Sequence, residues 1–224
     1  MKDLQCVLSG MLWLLGPPLL MILRHKKTGA RFYPAIIAFP VCIPVFFLGG
    51  AIRSVFSTED FAGYYIRQGI LYGILEEGAK FLVLRFHLTN YDSRKDAVSY
   101  GIGHAAFEAF GSGMTCLGLT GTGRAAPDLL LHTVWAVPAH IAWTVSLTVL
   151  IFYGICTDKW KRLLPIAMLL HAAGNMVQGI FMESAAAVIY ILLTAGQCFA
   201  AYRCWQTMGQ WEPAAWNADF NTDE

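Results

Sequence analysis

The chain has 224 residues, 56% of them hydrophobic and only 14% charged, with a formal net charge of +1 and a mean hydropathy of +0.50. A soluble globular domain carries about 25% charged residues; here the charges cluster at 24–31, 85–96, 157–162 and the two ends, with long apolar runs between. That distribution excludes an ordinary soluble domain, gives no basic aromatic patch for nucleic acid, and indicates an all-α polytopic transmembrane helical bundle in a lipid bilayer.

A bilayer core takes about 20 apolar residues per helix, and seven spans are expected, at about 5–23, 34–52, 62–85, 98–119, 128–153, 163–182 and 184–202. The first is followed by Arg24, His25, Lys26 and Lys27 rather than by a small-residue cleavage site, so it reads as a retained span. Pro17, Pro18, Pro40 and Pro44 fall in the first two spans, where neighbouring helices can satisfy the freed backbone groups. The charged loops "RHKKTGAR" and "DSRKD", the turn "GTGRAAPD" and the basic hinge "TDKWKR" separate later spans, and the join near Glu183 is the tightest. Cys6, Cys42, Cys116, Cys156, Cys198 and Cys204 form no CxxC pair and read as small hydrophobes, not as a zinc knuckle or disulfide framework. The organisation expected is one transmembrane domain over 1–205, with its core at about 62–182, and a polar tail at 206–224 carrying Trp211 and Trp216 after Trp205.

Basic residues alternate between loops. The first loop has Arg24, Lys26, Lys27 and Arg31, the third Arg85, Arg94 and Lys95, and the fifth Lys159, Lys161 and Arg162. Between them, the second has Arg53 balanced by Glu59 and Asp60, the fourth only Arg124, and the sixth none. By the positive-inside rule the N-terminus lies outside and the C-terminal tail is cytoplasmic.

Ionisable groups inside a span cost on the order of 3 kcal/mol each on insertion scales and are functional candidates by default. The third span holds Glu76, Glu77 and Lys80 in "YGILEEGAKF", and the fourth His104 and Glu108 in "GIGHAAFEAF". The fifth holds His140, with His132 near its outer end, and the sixth His171 and Asn175 in "HAAGNMV". Glu76 with Lys80, His104 with Glu108, and His171 with Asn175 are each spaced to share a helix face. At 1.5 Å per residue, Glu76 lies roughly 14 Å from the cytoplasmic end of its span, His104 roughly 9 Å, His171 roughly 12 Å, Glu108 roughly 15 Å and His140 roughly 20 Å. Antiparallel helices thus converge their polar residues on one layer. Singly, each histidine reads as an ordinary interhelical hydrogen-bonding residue; at matching depth, a common site is favoured.

Two carboxylates, three histidines and an asparagine in a desolvated layer supply the parts for hydrolysis. A carboxylate there can act as general base toward water, histidine can hold that water directly or through a metal, and an amide can donate to an oxyanion. Lys80 can neutralise one carboxylate and leave the other as base.

"EEGAK", then "GIGHAAFEA", a lone histidine on the next span and "HAAGN" resemble the YhfC family of intramembrane metalloproteases, grouped with the PrsW-like and CAAX-protease/bacteriocin-processing (CPBP) membrane proteins. The resemblance runs over roughly residues 62–182 with the motifs in order. It implies Glu76 as water-activating base and Glu77 as a structural carboxylate paired with Lys80, or the two glutamates in exchanged roles, and His104 acting with Glu76, with Glu108 sharing that task. His140 and His171 would complete the site, with Asn175 as oxyanion donor or orienting group. It further implies a membrane-embedded or membrane-proximal peptide substrate and a bacterial cytoplasmic membrane location. Lys80 replaces the arginine found one residue later in prenyl-protein-processing relatives, so the bidentate Arg–carboxylate fork is absent and prenylated substrates are not expected. His104, His140 and His171 with a carboxylate suit zinc, although no HExxH occurs; a metal-free Glu/His mechanism uses the same residues. Two other classes stand beside the peptidase. One is a noncatalytic scaffold, since the superfamily resembles a scaffold subunit of gamma-secretase. The other is a transporter or proton relay, ranked last because no internal repeat is visible.

Overall fold

The computed structural model describes residues 2–55, 61–180 and 183–210, and their regular structure is helical throughout. The helices are α1 (Lys2–Thr28), α2 (Tyr33–Val55), α3 (Phe61–Leu82), α4 (Arg94–Gly118), α5 (Leu129–Cys156), α6 (Trp160–Ile180) and α7 (Glu183–Gly209). A π-helical turn, Val83–His87, extends α3. Each helix coincides with one of the apolar runs. α7 continues beyond the expected boundary, so Gln206–Gly209 are helical rather than tail. The reason lies on α4: Arg94 Nη1 donates to the Trp205 carbonyl at 2.9 Å and its guanidinium lies 4.7 Å from the centre of the Trp205 ring. Trp211, Trp216 and the rest of the tail, with Glu59 and Asp60, lie outside the described residues.

Among the described residues, α1, α5 and nearly all of α2 and α7 form four helices long and apolar enough to cross a membrane. The remaining three, α3, α4 and α6, hold Glu76, Glu77, Lys80, His104, Glu108 and His171. Their lower hydropathy reflects this inward polarity, because their outward faces stay apolar. Leu169 on α6 is 70% exposed, comparable to Phe47 on α2 (69%), Leu131 on α5 (73%) and Leu192 on α7 (66%). Exposed apolar surface of this extent is what lipid covers.

α5 forms the centre, with Leu147, Val149, Leu150, Ile151 and Phe152 all buried. It packs against α1, α4, α6 and α7, while α4 also packs against α1 and α2, and α3 lies against α6 and α2. Two glycines set the spacing that matters for the polar layer. A Cβ at Gly103 would fall on the Ala35 backbone, so α2 and α4 touch main chain to main chain. A Cβ at Gly73 would stand 2.6 Å from the Met168 carbonyl oxygen, which brings α3 equally close to α6. The basic loops gather at one end of the bundle. There Arg31 forks onto Asp96, and Asp96 closes a capping box with Ser93 at the start of α4. Lys95 donates to the Thr28 carbonyl at 3.1 Å.

Candidate active site

The polar layer assembles from five helices. Glu76, Glu77 and Lys80 come from α3, His104 and Glu108 from α4, His140 and Thr144 from α5, His171 from α6 and Cys42 from α2. The deepest part is the Glu77–Lys80 ion pair at 2.6 Å, with both side chains fully buried. The same Glu77 oxygen, Oε1, lies 2.6 Å from His171 Nδ1. An ionised carboxylate only accepts, so Nδ1 carries the proton in this hydrogen bond, and in a neutral ring Nε2 would present its lone pair.

That lone pair faces Glu76. His171 Nε2 is 3.4 Å from Glu76 Oε2, and His104 Nε2 is 3.5 Å from the same oxygen. Glu76 Oε2 is buried yet hydrogen-bonded to nothing. Two acceptors facing each other at this distance repel unless a proton, a water or a cation lies between them. His104 Nε2 is also 3.6 Å from Glu108 Oε1, and its other nitrogen, Nδ1, meets the Cys42 thiol at 3.2 Å. Glu108 Oε2 accepts from the Thr144 hydroxyl at 3.1 Å and stands 3.0 Å from His140 Nε2, out of line for a hydrogen bond. Trp13 of α1 packs edge-on against the His140 ring.

Access is graded. The Glu77 and Lys80 side chains are sealed and His104 is 1% exposed, whereas the side chains of Glu76, Glu108 and His140 are 16%, 21% and 22% exposed. The carboxylates therefore form the mouth of the site and the ion pair its floor.

Ligand atoms of Glu76, Glu108 and His171 lie within 4.8 Å of one another. Around a tetrahedral zinc ion with bonds of about 2.0–2.2 Å, neighbouring ligand atoms stand about 3.3–3.6 Å apart. Within the set, the 3.4 Å from Glu76 Oε2 to His171 Nε2 matches that edge length. With an orphaned carboxylate oxygen and a histidine whose far nitrogen is held by a second carboxylate, these residues fit a zinc-type ion. The set differs from the expected His104, His140 and His171. Glu108 stands 3.6 Å from His104 Nε2 and 3.0 Å from His140 Nε2, and the compact group among the described residues is two carboxylates and one histidine.

Of the residues singled out by sequence, Asn175 stands aside: it is half-buried, and its side chain hydrogen-bonds to no described residue. His132 is exposed at the far end of α5, its ring 4.6 Å from that of Trp135. Sequence reasoning passed over Cys42, for which no spacing cue exists, and Thr144, which one does mark, four residues after His140 on the same face.

Fold and site together define a membrane-helical protein with a buried carboxylate–histidine cluster suited to a metal. A family model described as YhfC intramembrane metalloprotease matches residues 42–117 of the chain. The matched segment begins at Cys42 and contains Glu76, Glu77, Lys80, His104 and Glu108; His140, His171 and Asn175 follow it. No curated protein and no solved structure matches the chain.

Proposed function

We propose that the protein is an intramembrane peptidase that hydrolyses a peptide bond of a membrane-embedded or membrane-proximal substrate. The observation that carries this reading is Glu76 Oε2, a buried but unbonded carboxylate oxygen set between the Nε2 atoms of His104 and His171, on a side chain that is itself 16% exposed. A scaffold histidine–carboxylate pair would be expected to close on itself; this one stays open at 3.4–3.5 Å.

The ion would be held by Glu76, Glu108 and His171. Bound there, zinc would supply Lewis acidity and lower the pKa of a water molecule. Glu76 has a second oxygen, so it can hold the ion through one and accept the water's proton through the other. His104 Nε2, near both Glu76 and Glu108, is placed to carry that proton onward, and the Cys42 contact keeps its ring turned toward them. His140, at the mouth beside Glu108, is placed to protonate the leaving amine, and the free Asn175 amide is available to a developing oxyanion. Glu77 and Lys80 form no part of the reacting set. They fix His171, in the way a carboxylate behind a metal-bound histidine fixes its tautomer. The basic end of the bundle faces the cytoplasm of a bacterial cell in this reading, with the N-terminus outside.

The test is metal content and cleavage of a membrane peptide by detergent-purified full-length protein, for wild type, Glu76→Gln and His171→Ala. Expected are about one zinc per chain in the wild type, loss of metal in His171→Ala, and loss of cleavage in both variants. Folded wild-type protein with neither metal nor cleavage across a broad set of membrane peptides would overturn the peptidase and favour a scaffold.

A further inference from the structure

Away from the polar layer, α1, α4 and α5 enclose a groove of about 520 Å³, within the range of about 300–1,000 Å³ of small-molecule sites. Its floor is Ile102 and Ile141, 2% and 8% exposed, and its outer wall is Leu20 and Leu23, 40% and 64% exposed. All other lining away from one end is also apolar. At that end stand Arg24, Lys27 and Thr28, in the last turns of α1. From Thr28 to Leu20 the groove descends about 12 Å along the helix axis. It is thus a slot parallel to the helices, aliphatic along its length and cationic at the basic end of the bundle.

The two cations are not neutralised by the protein; beyond its carbonyl contact, the Arg24 guanidinium lies 5.8 Å from the centre of the Trp205 ring. Asp96, the nearest carboxylate of α4, is committed to Arg31. Arg24 Nε is buried without a hydrogen bond, and Nη2 reaches only the Lys95 carbonyl at 3.5 Å. Neither Arg24 nor Lys27 forms an ion pair with a described carboxylate. The C-terminus of α1 opposes an anion here with about half an elementary negative charge, but two full positive charges exceed it. A soluble anion would leave the aliphatic slot empty, and a neutral hydrocarbon would leave the cations unmatched.

We propose that this groove binds one anionic phospholipid, with an acyl chain along Leu20, Leu23, Ile102 and Ile141 and the phosphate on Arg24 and Lys27. The charge sits at the end of the helix, where headgroups lie, and the slot runs toward the bilayer centre. Each basic side chain near an anionic headgroup contributes about fivefold in binding, so the pair accounts for about 25-fold.

Full-length protein in detergent micelles would be titrated with dioleoylphosphatidylglycerol or dioleoylphosphatidylcholine and the bound lipid counted by native mass spectrometry. The wild type is expected to hold one phosphatidylglycerol in preference to phosphatidylcholine, and Arg24→Gln/Lys27→Gln to lose about 25-fold in affinity. Lys26→Gln/Lys161→Gln, which removes equal charge outside the groove, should lose little. Ala142→Phe, which fills the slot and spares the cations, should also release the lipid; helical content by circular dichroism checks that each variant is folded. The proposal fails if the outside pair loses as much as the groove pair, or if folded Ala142→Phe retains the lipid. It fails equally if inorganic phosphate or an acidic peptide displaces the lipid at concentrations matching its own affinity.

Discussion

At Glu77 one carboxylate oxygen meets Lys80 Nζ and His171 Nδ1, both at 2.6 Å, in surroundings that leave its side chain no solvent. Removing one member of a buried pair strands the other charge, at a cost of about 3–5 kcal/mol. Lys80→Met should therefore lower thermal stability in detergent by that order, and Glu77→Gln/Lys80→Met should recover part of it, since no lone charge remains. A fall in the double variant as large as in the single one would show that the pair's charge is not what matters. Cys42 acts at the other histidine. It offers His104 Nδ1 a partner at 3.2 Å, and loss of such an orienting contact typically costs 10–100-fold in activity or metal affinity. Cys42→Ala is expected to lower kcat within that range with little change in KM, and Cys42→Ser, which keeps a hydrogen-bonding atom, to restore most of it. Equal loss in both would mean the thiol is only packing. Nothing in the local sequence marks Cys42, because a buried thiol in an apolar span has the same pattern whether it packs or bonds.

At the scale of helices, the spacing of charged residues was legible and their pairing across helices was not. Residues four apart share a face whatever the neighbours, so "EEGAK" and "GIGHAAFEA" announce inward faces before any packing is known. Depth was legible to within about a turn. Counted from the observed ends Arg94 and Cys156, Glu108 and His140 lie about 21 and 24 Å along their helices, closer than span lengths alone suggested, because α4 starts four residues before its apolar segment, one more than α5 adds at its end. The choice of α3 against α6 depended on something subtler, the absence of a side chain at Gly73. A Cβ there would stand 2.6 Å from the Met168 carbonyl oxygen, and backbone cannot step aside as a flexible side chain can. Gly73→Val should separate the helices, costing about 1–3 kcal/mol as overpacking does, and should weaken metal retention by drawing Glu77 away from His171. Gly78→Ala lies on the same helix with its nearest neighbour, the Met168 methyl, at 3.7 Å, and should leave both properties unchanged. Loss of stability without loss of metal in folded Gly73→Val would separate helix packing from the site.

The whole molecule is polarised along the bundle axis. At one end Arg31 is locked to Asp96, Lys95 to the Thr28 carbonyl and Arg94 to the Trp205 carbonyl, so the ends of α1 and α7 are tied to the start of α4. The opposite end is fastened without a side-chain ion pair among the described residues, by Lys2 on the Gly123 carbonyl and Asp3 on the Gly121 amide. The basic residues that orient a membrane protein during insertion are thus partly the ones that hold its helices in register once folded. Arg31 shows why the two demands agree: it stands between α1 and α2, belongs to the basic loop count, and is spent on an acidic residue that caps α4. Orientation should then survive loss of the bond, because the loop keeps Arg24, Lys26 and Lys27, whereas stability should not. Asp96→Asn is expected to leave topology unchanged while lowering thermal stability by about 1–3 kcal/mol through the unpaired Arg31 and the weakened cap. Epitope tags placed in the 119–128 and 157–159 connections, probed on intact and on permeabilised cells, read the topology directly. The first tag should be reached from outside and the second only after permeabilisation, in wild type and Asp96→Asn alike. A reversed pattern in the wild type would place the groove cations and the C-terminal end of α7 on the outer face. An inverted or mixed pattern in Asp96→Asn alone would mean that the folded contact, rather than the loop charges, sets the orientation.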